Sequence, residues 1–213
     1  MRRVSKTPGV EPELLTKWKQ RNPKGIYKDL SEVERQAIKA ACAEEQYYLC
    51  AYCCQAVSGK NRDTINEHVE ARRIAPHRSL DFTNIVASCT NPDQCDAAHG
   101  SQPLPLTPFM PECETDLVFK LSGRVVGKTQ QAVETIRVLN LGDTERNNRS
   151  LIEKRKQLVQ TLLLTNSVNP GEGLDDNELI EILIDELSVP VDGKLEAFAP
   201  VTINILRQWI SND

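Results

Sequence analysis

Four cysteines constrain this chain more than any other feature. They come as two pairs, Cys50-x2-Cys53 and Cys89-x5-Cys95, separated by residues 54–88. Each short spacing places two sulfurs on one tight loop. If the insertion folds back, the pairs close around one ion, which predicts a structural Zn²⁺ site of four thiolates. Cys54 is an alternative to Cys53 as the second ligand. The chain holds 7 cysteines, an odd number, and Cys42 reads as a core residue of a helix. The first residues, Met1-Arg2-Arg3-Val4-Ser5-Lys6, do not open into an apolar stretch, so no secretory signal is expected. The expected compartment is the reducing cytoplasm, where clustered thiols hold metals before they form disulfides. No apolar run reaches the roughly eighteen residues of a membrane helix, so no membrane role is expected.

Zinc matters here because the Cys-bearing segment is poor in large apolar residues. The chain as a whole is not: hydrophobic residues are 39% and charged residues 26% of 213, which is compatible with a folded core. Aromatics are only 5%, so the core rests on aliphatic side chains and a base-stacking surface rich in aromatics is not expected. The net charge of −4 hides an asymmetry. Residues 1–39 carry 10 Lys/Arg against 5 Asp/Glu, whereas residues 165–213 carry 2 against 10. This predicts a basic part facing nucleic acid and an acidic part facing elsewhere.

The expected class is α+β, a zinc-held core with flanking helices and a mainly helical C-terminal part. Residues 1–30 read as an extended arm with a short helix from Pro12 to Arg21. Residues 31–129 form the zinc-bearing domain. It starts with a helix from Ser31 to Tyr48, because Ser31 and Glu34 have capping-box spacing. Val33, Ala37, Ala40, Ala41 and Cys42 form its apolar stripe. Alternation around Ser122-Gly123 predicts a hairpin over 117–129. Residues 130–165 form a basic helical part, with Ala132, Ile136 and Leu139 on one face and then a helix from Glu145 to Leu164. Arg146, Arg149, Lys154, Arg155 and Lys156 lie off the apolar side of that helix, on a solvated face or along nucleic acid. Residues 166–213 form the acidic part. It comprises a loop from Asn166 to Gly173, a helix over 175–187 with Leu179, Ile182, Leu183 and Leu187 inward, and a last helix over 201–210. We expect it to dock a protein partner.

The insertion between the cysteine pairs carries Glu67-His68, Asn84 follows before the second pair, and His99 comes after it. A carboxylate can hold a hard divalent ion. A neutral imidazole beside it can take a proton from water near neutral pH. The amide of Asn84 can ligate a cation or orient an imidazole. Arg72, Arg73, His77 and Arg78 in the same insertion are candidate nucleic-acid contacts.

Cys50-x2-Cys53, Glu67-His68, Asn84, Cys89 with Cys95, and His99 together resemble the HNH (ββα-metal) endonuclease family. The resemblance implies a ββα-metal core in which His68 is the general base and Glu67 a ligand of a catalytic Mg²⁺ or Mn²⁺. Asn84 then ligates that ion or fixes the histidine, and His99 is a second ligand. The four cysteines hold structural zinc. Glu67 stands where Asp is commoner in the family. Glu45-Gln46, Ser79-Leu80-Asp81-Phe82-Thr83-Asn84 and Thr135-Ile136-Arg137-Val138-Leu139-Asn140-Leu141 are similar to the Septu/retron-associated, PtuB-like HNH proteins of bacterial anti-phage defence, over about residues 27–160. That likeness implies DNA, or RNA, as substrate and an ABC/SMC-like (PtuA-like) ATPase as partner. In some systems it adds a retron reverse transcriptase and its noncoding RNA.

Overall fold

The computed structural model describes residues 1–144, 146–166, 168–169 and 176–210, and the protein is α+β. The order of elements is α1 (Glu13–Arg21), α2 (Glu32–Glu45), β1 (Thr64–His68), β2 (Ile85–Cys89), α3 (Asp96–His99), β3 (Leu117–Phe119), β4 (Val125–Gly127), α4 (Gln130–Leu139), α5 (Arg149–Thr165), α6 (Asn177–Ser188) and α7 (Ala199–Ile210). β1 and β2 are antiparallel, with Glu67 opposite Val86 and His68 opposite Ile85. β3 and β4 form a second two-stranded sheet. No described helix is long and apolar enough to cross a membrane.

Local chemistry sets most of these boundaries. Ser31 caps α2 by accepting from the Val33 N–H at 3.2 Å, and Glu34 returns a bond to the Ser31 N–H at 3.0 Å. The helix stops earlier than expected because Tyr47 and Tyr48 both take positive φ. Its inward side is also different from the expected stripe. Ile38, Lys39, Cys42 and Ala43 are buried, whereas Val33 and Ala40 are exposed. Alanines are too small to decide which face a helix hides, so the larger Ile38 does. Gly123 is required at the β3–β4 turn: its φ is +81°, and a Cβ there would lie 2.1 Å from the Ile152 carbonyl oxygen.

Thr129 caps α4 and Asn148 caps α5. The α5 start expected at Glu145 falls on a residue outside those described, as does most of the loop expected over 166–173 and the Asp175 start of α6. α6 turns Ile180, Leu183 and Leu187 inward, and Ile182 is 47% exposed. With apolar residues at 179, 180, 182, 183, 184 and 187 the sequence allows several faces, and packing against α7 selects one.

Arg155 corrects the expectation of a solvated basic face. It is fully enclosed, and it donates to the Gly123 oxygen at 2.6 Å and the Leu141 oxygen at 3.2 Å over the Phe119 ring. Burial pulls its pKa down to about 10, and the Cys53, Cys54 and Cys95 sulfurs work against that pull. Arg155→Ala should destabilise the protein by about 3 kcal/mol, because two buried carbonyls lose their donor and a cavity opens. Chemical denaturation checks this as a lowered midpoint at unchanged slope.

One apolar cluster runs through the arm, the cysteine loops and the C-terminal helices, including Met1, Val4, Tyr52, Leu117, Leu151, Ile180 and Val201. The arm is therefore packed rather than free, and the Val4 N–H donates to the Pro108 oxygen at 2.7 Å. The C-terminal part is tied back through its backbone. Leu195 N–H donates to the Tyr47 oxygen at 3.1 Å and Phe198 N–H to the Cys54 oxygen at 2.8 Å.

Candidate metal centre and adjoining acid–imidazole cluster

Two loops bring the four sulfurs together. The first follows α2, where Gln46 spans two elements. Its side chain donates to the oxygens of Leu49 and Ala87 and accepts from the Ala87 N–H at 2.7 Å. Its amide thus fastens the Cys50 loop to β2. The second loop is pinned by the α4–α5 region. Cys95 N–H donates to the Leu139 oxygen at 2.9 Å, and Asn148 donates to the Gln94 side chain at 2.8 Å.

The Sγ atoms of Cys50, Cys53, Cys89 and Cys95 all lie within 4.8 Å of one another, and all four residues are buried. Cys50 and Cys95 are 3.8 Å apart, and Cys53 and Cys89 are 3.9 Å apart. A tetrahedron with Zn–S bonds of about 2.3 Å has edges of about 3.8 Å, so the four thiols fit a zinc ion. Backbone and side-chain donors already face the sulfurs. Cys89 N–H reaches Cys50 Sγ at 3.4 Å, and Gln94 Nε2 reaches Cys89 Sγ at 3.6 Å. Among the described residues this is the only such group of three or more His, Cys, Asp or Glu side chains. Cys54 is buried outside it in a left-handed conformation, so Cys53 is the one of the two that joins the cluster.

Glu67 and His68 do not form a pair with each other. Neighbours on a strand point to opposite faces, and β1 sends Glu67 toward Tyr52 and α3 while His68 faces the turn before α2. The Glu67 Oε1 accepts from the Tyr52 hydroxyl at 3.1 Å and lies 2.5 Å from His99 Nδ1. The other ring nitrogen of His99 is 2.8 Å from the Gln102 oxygen. A carbonyl only accepts, so Nε2 carries a proton, and a further proton lies between Nδ1 and the Glu67 carboxylate. Burial opposes a charge on the ring, but the Glu67 carboxylate outweighs it and holds the His99 pKa above its ordinary value. Burial likewise opposes the Glu67 charge, and bonds from His99, Asp96 and Tyr52 bring its pKa below the usual carboxylate range. Asp96, one residue beyond Cys95, is pushed up to about 8 by burial and by Glu67, to which it hydrogen-bonds. Nothing in the sequence marked Tyr52 or Asp96; both reach Glu67 only through the fold.

Neighbouring ligands of an octahedral ion with bonds of about 2.1 Å lie about 3 Å apart. Glu67 and His99 are closer than that, so as arranged they share a proton rather than a divalent ion. Asn84 is not beside them. Its Oδ1 accepts from the Glu70 N–H at 2.8 Å and its Nδ2 donates to the Glu70 oxygen at 2.9 Å. Both ends of the amide are thus spent on fixing the backbone just after His68.

His68 is buried with its Nε2 2.9 Å from the Ser79 oxygen. That bond fixes the proton on Nε2 and leaves the lone pair on Nδ1. Burial lowers its pKa, and Arg72 adds to that against the Ser79 bond and the Glu67 charge. The ring is therefore neutral near pH 7. Of the basic insertion, Arg72, Arg73 and His77 are exposed. Arg78 is partly exposed and is bonded to Glu70 at 2.7 Å and Asp81 at 2.8 Å. A groove of about 400 Å³ adjoins Asn84 and is lined by Val69, Ile74, Arg78, Leu104 and Phe109 among others, but not by Glu67, His68 or His99.

No protein-family model matches the chain, and no curated protein matches it.

Proposed function

We propose that the protein is an HNH-type, metal-dependent endonuclease subunit that hydrolyses phosphodiester bonds of DNA. An ABC/SMC-like ATPase is the partner and anti-phage defence the setting that the sequence resemblance implies. The observation that carries the reading is the state of His68. It is a neutral imidazole, tautomerically fixed by the Ser79 carbonyl, one residue from a carboxylate that touches a second histidine. The hairpin and short helix that carry them are held by the sulfur cluster.

In this reading His68 Nδ1 accepts a proton from the attacking water. Glu67 and His99 would hold a Mg²⁺- or Mn²⁺-class ion, whose chemistry would be stabilisation of charge on the phosphate. Asn84 keeps the strand end rigid, so that His68 does not drift. Zinc at Cys50, Cys53, Cys89 and Cys95 supplies scaffold only.

Plasmid nicking in Mg²⁺ and Mn²⁺, with and without the ATPase, tests this. Metal-dependent nicking that Glu67→Gln reduces at least a hundredfold is expected. A second reading, a zinc-ribbon adaptor without catalysis, is favoured by the enclosure of His99, which is 0% exposed with both nitrogens bonded. An adaptor is indifferent to Glu67→Gln and His68→Ala, and finding no metal-dependent nicking in the full complex would decide for it.

A further inference from the structure

Beside His68, on the face of β1 away from Glu67, two arginines share one aromatic ring. The Tyr27 ring meets the His68 ring edge-on with centroids 4.7 Å apart. Arg72 Cζ lies 5.0 Å from the Tyr27 centroid and Arg35 Cζ 5.6 Å from it. Arg72 comes from the insertion after β1 and Arg35 from the first turns of α2.

The mount is rigid. Asn66, two residues before His68 and on the same strand face, donates to the Tyr27 hydroxyl at 2.9 Å and to the Arg35 carbonyl oxygen at 2.8 Å. One buried amide therefore holds the ring, the helix and the strand in register. Tyr27 itself is 9% exposed and covered by the two guanidinium groups, so it serves as a base plate rather than as a stacking surface for a nucleobase.

Neither guanidinium touches a carboxylate, although Arg72 feels the Asp96 carboxyl at longer range. Among the described residues neither Arg35 nor Arg72 makes an ion pair, in contrast to Arg78 eight residues away from Glu70. Arg35 gives Nη2 to the Lys28 oxygen at 2.9 Å, and its Nε is buried without a partner. Two like charges on one ring repel, and cation–π contact offsets that repulsion only in part. An anion between or across them removes the repulsion, and guanidinium forks match phosphate oxygens.

We propose that Arg35 and Arg72, braced on Tyr27, bind a backbone phosphate of DNA beside His68. This rests on the nuclease reading for its substrate, and it joins to Arg72, a candidate contact by sequence, an Arg35 partner that no motif marks.

The test is fluorescence anisotropy of a 20-base-pair duplex with full-length, zinc-loaded protein, read across a salt series in the absence of Mg²⁺ and Mn²⁺. Arg35→Ala and Arg72→Ala should each weaken binding about tenfold and flatten the slope of log affinity against log salt by about one. Arg35→Lys keeps the charge and the helix, and should restore most of the slope but not the full affinity. Arg62→Ala, at an exposed turn, should change neither. Wild-type slopes in both arginine variants, with nicking activity intact in the parent protein, overturn the clamp and leave the nuclease reading standing. Flattened slopes in a parent that never nicks keep the clamp and remove the hydrolysis. A parent that does not bind the duplex removes both.

Discussion

Replacing Cys53 by serine should remove zinc and fold together. The four thiols come from two loops, one after α2 and one between β2 and α3, and their closure around an ion would tie these loops together. Binding of a structural zinc ion is worth about 10–16 kcal/mol in small modules, and whole domains are stable by only about 5–15 kcal/mol. A serine oxygen cannot replace a thiolate in a soft tetrahedral site. Elemental analysis should find zinc falling from one equivalent to a small fraction, and far-UV circular dichroism should show a lost cooperative transition. Cys42→Ser supplies the contrast. Its thiol is buried and donates to the Ile85 oxygen, its pKa pushed up to about 12 by burial, and it is no ligand. That variant should keep its zinc. Zinc-free Cys53→Ser that melts like the parent would show the cluster to be four ordinary core cysteines.

His68→Ala is expected to have the largest effect on chemistry and little effect on fold. The side chain contributes one bond to the Ser79 oxygen and an edge contact to Tyr27, so its loss should cost about 1–3 kcal/mol of stability. Positioned general bases contribute about 10²–10⁴-fold in rate, so nicking should drop by that factor at unchanged zinc content. The pH profile supplies a sharper readout. Because the folded pKa of His68 is lowered, the base form is populated at and below neutral pH, and activity should fall only as the medium becomes more acidic than an ordinary histidine requires. Equal nicking rates for His68→Ala and the parent, in preparations matched for zinc, would refute the assignment.

What the linear chain revealed and what it hid follow from range. The cysteine pairs, the Ser31–Glu34 cap, the Gly123 turn and the Ala132–Ile136–Leu139 face are local signals. Each depends on spacing within one turn or loop, and each is found where the spacing puts it. Arg155 was hidden because a lone arginine among lysines looks solvated until Gly123 and Leu141 present their carbonyls from elsewhere in the fold. The face of α6 was ambiguous because six apolar residues crowd one short helix. Glu67 and His68 look like a couple in print, but strand alternation separates them and gives Glu67 to His99, 32 residues on. Tyr27, Arg35 and Asn66 carry no motif at all. Their grouping around His68 depends on β1 lying across α2, which the apolar contact of Ile38, Cys42 and Ala43 with Phe82, Ile85 and Ala87 and the Asn66–Arg35 bond hold in place.

The two backbone tethers from the last helical pair have a mechanical consequence. Phe198 grips the carbonyl of Cys54, the residue immediately after a sulfur ligand, and Leu195 grips Tyr47 just before the same knuckle. A load applied at α6 or α7, by a docked protein or by a genetic fusion, is transmitted through two amides to the metal-bearing loop. Trimming the tail to remove an attachment point also unbuttons that loop, so a clipped chain tests the anchor and the attachment together.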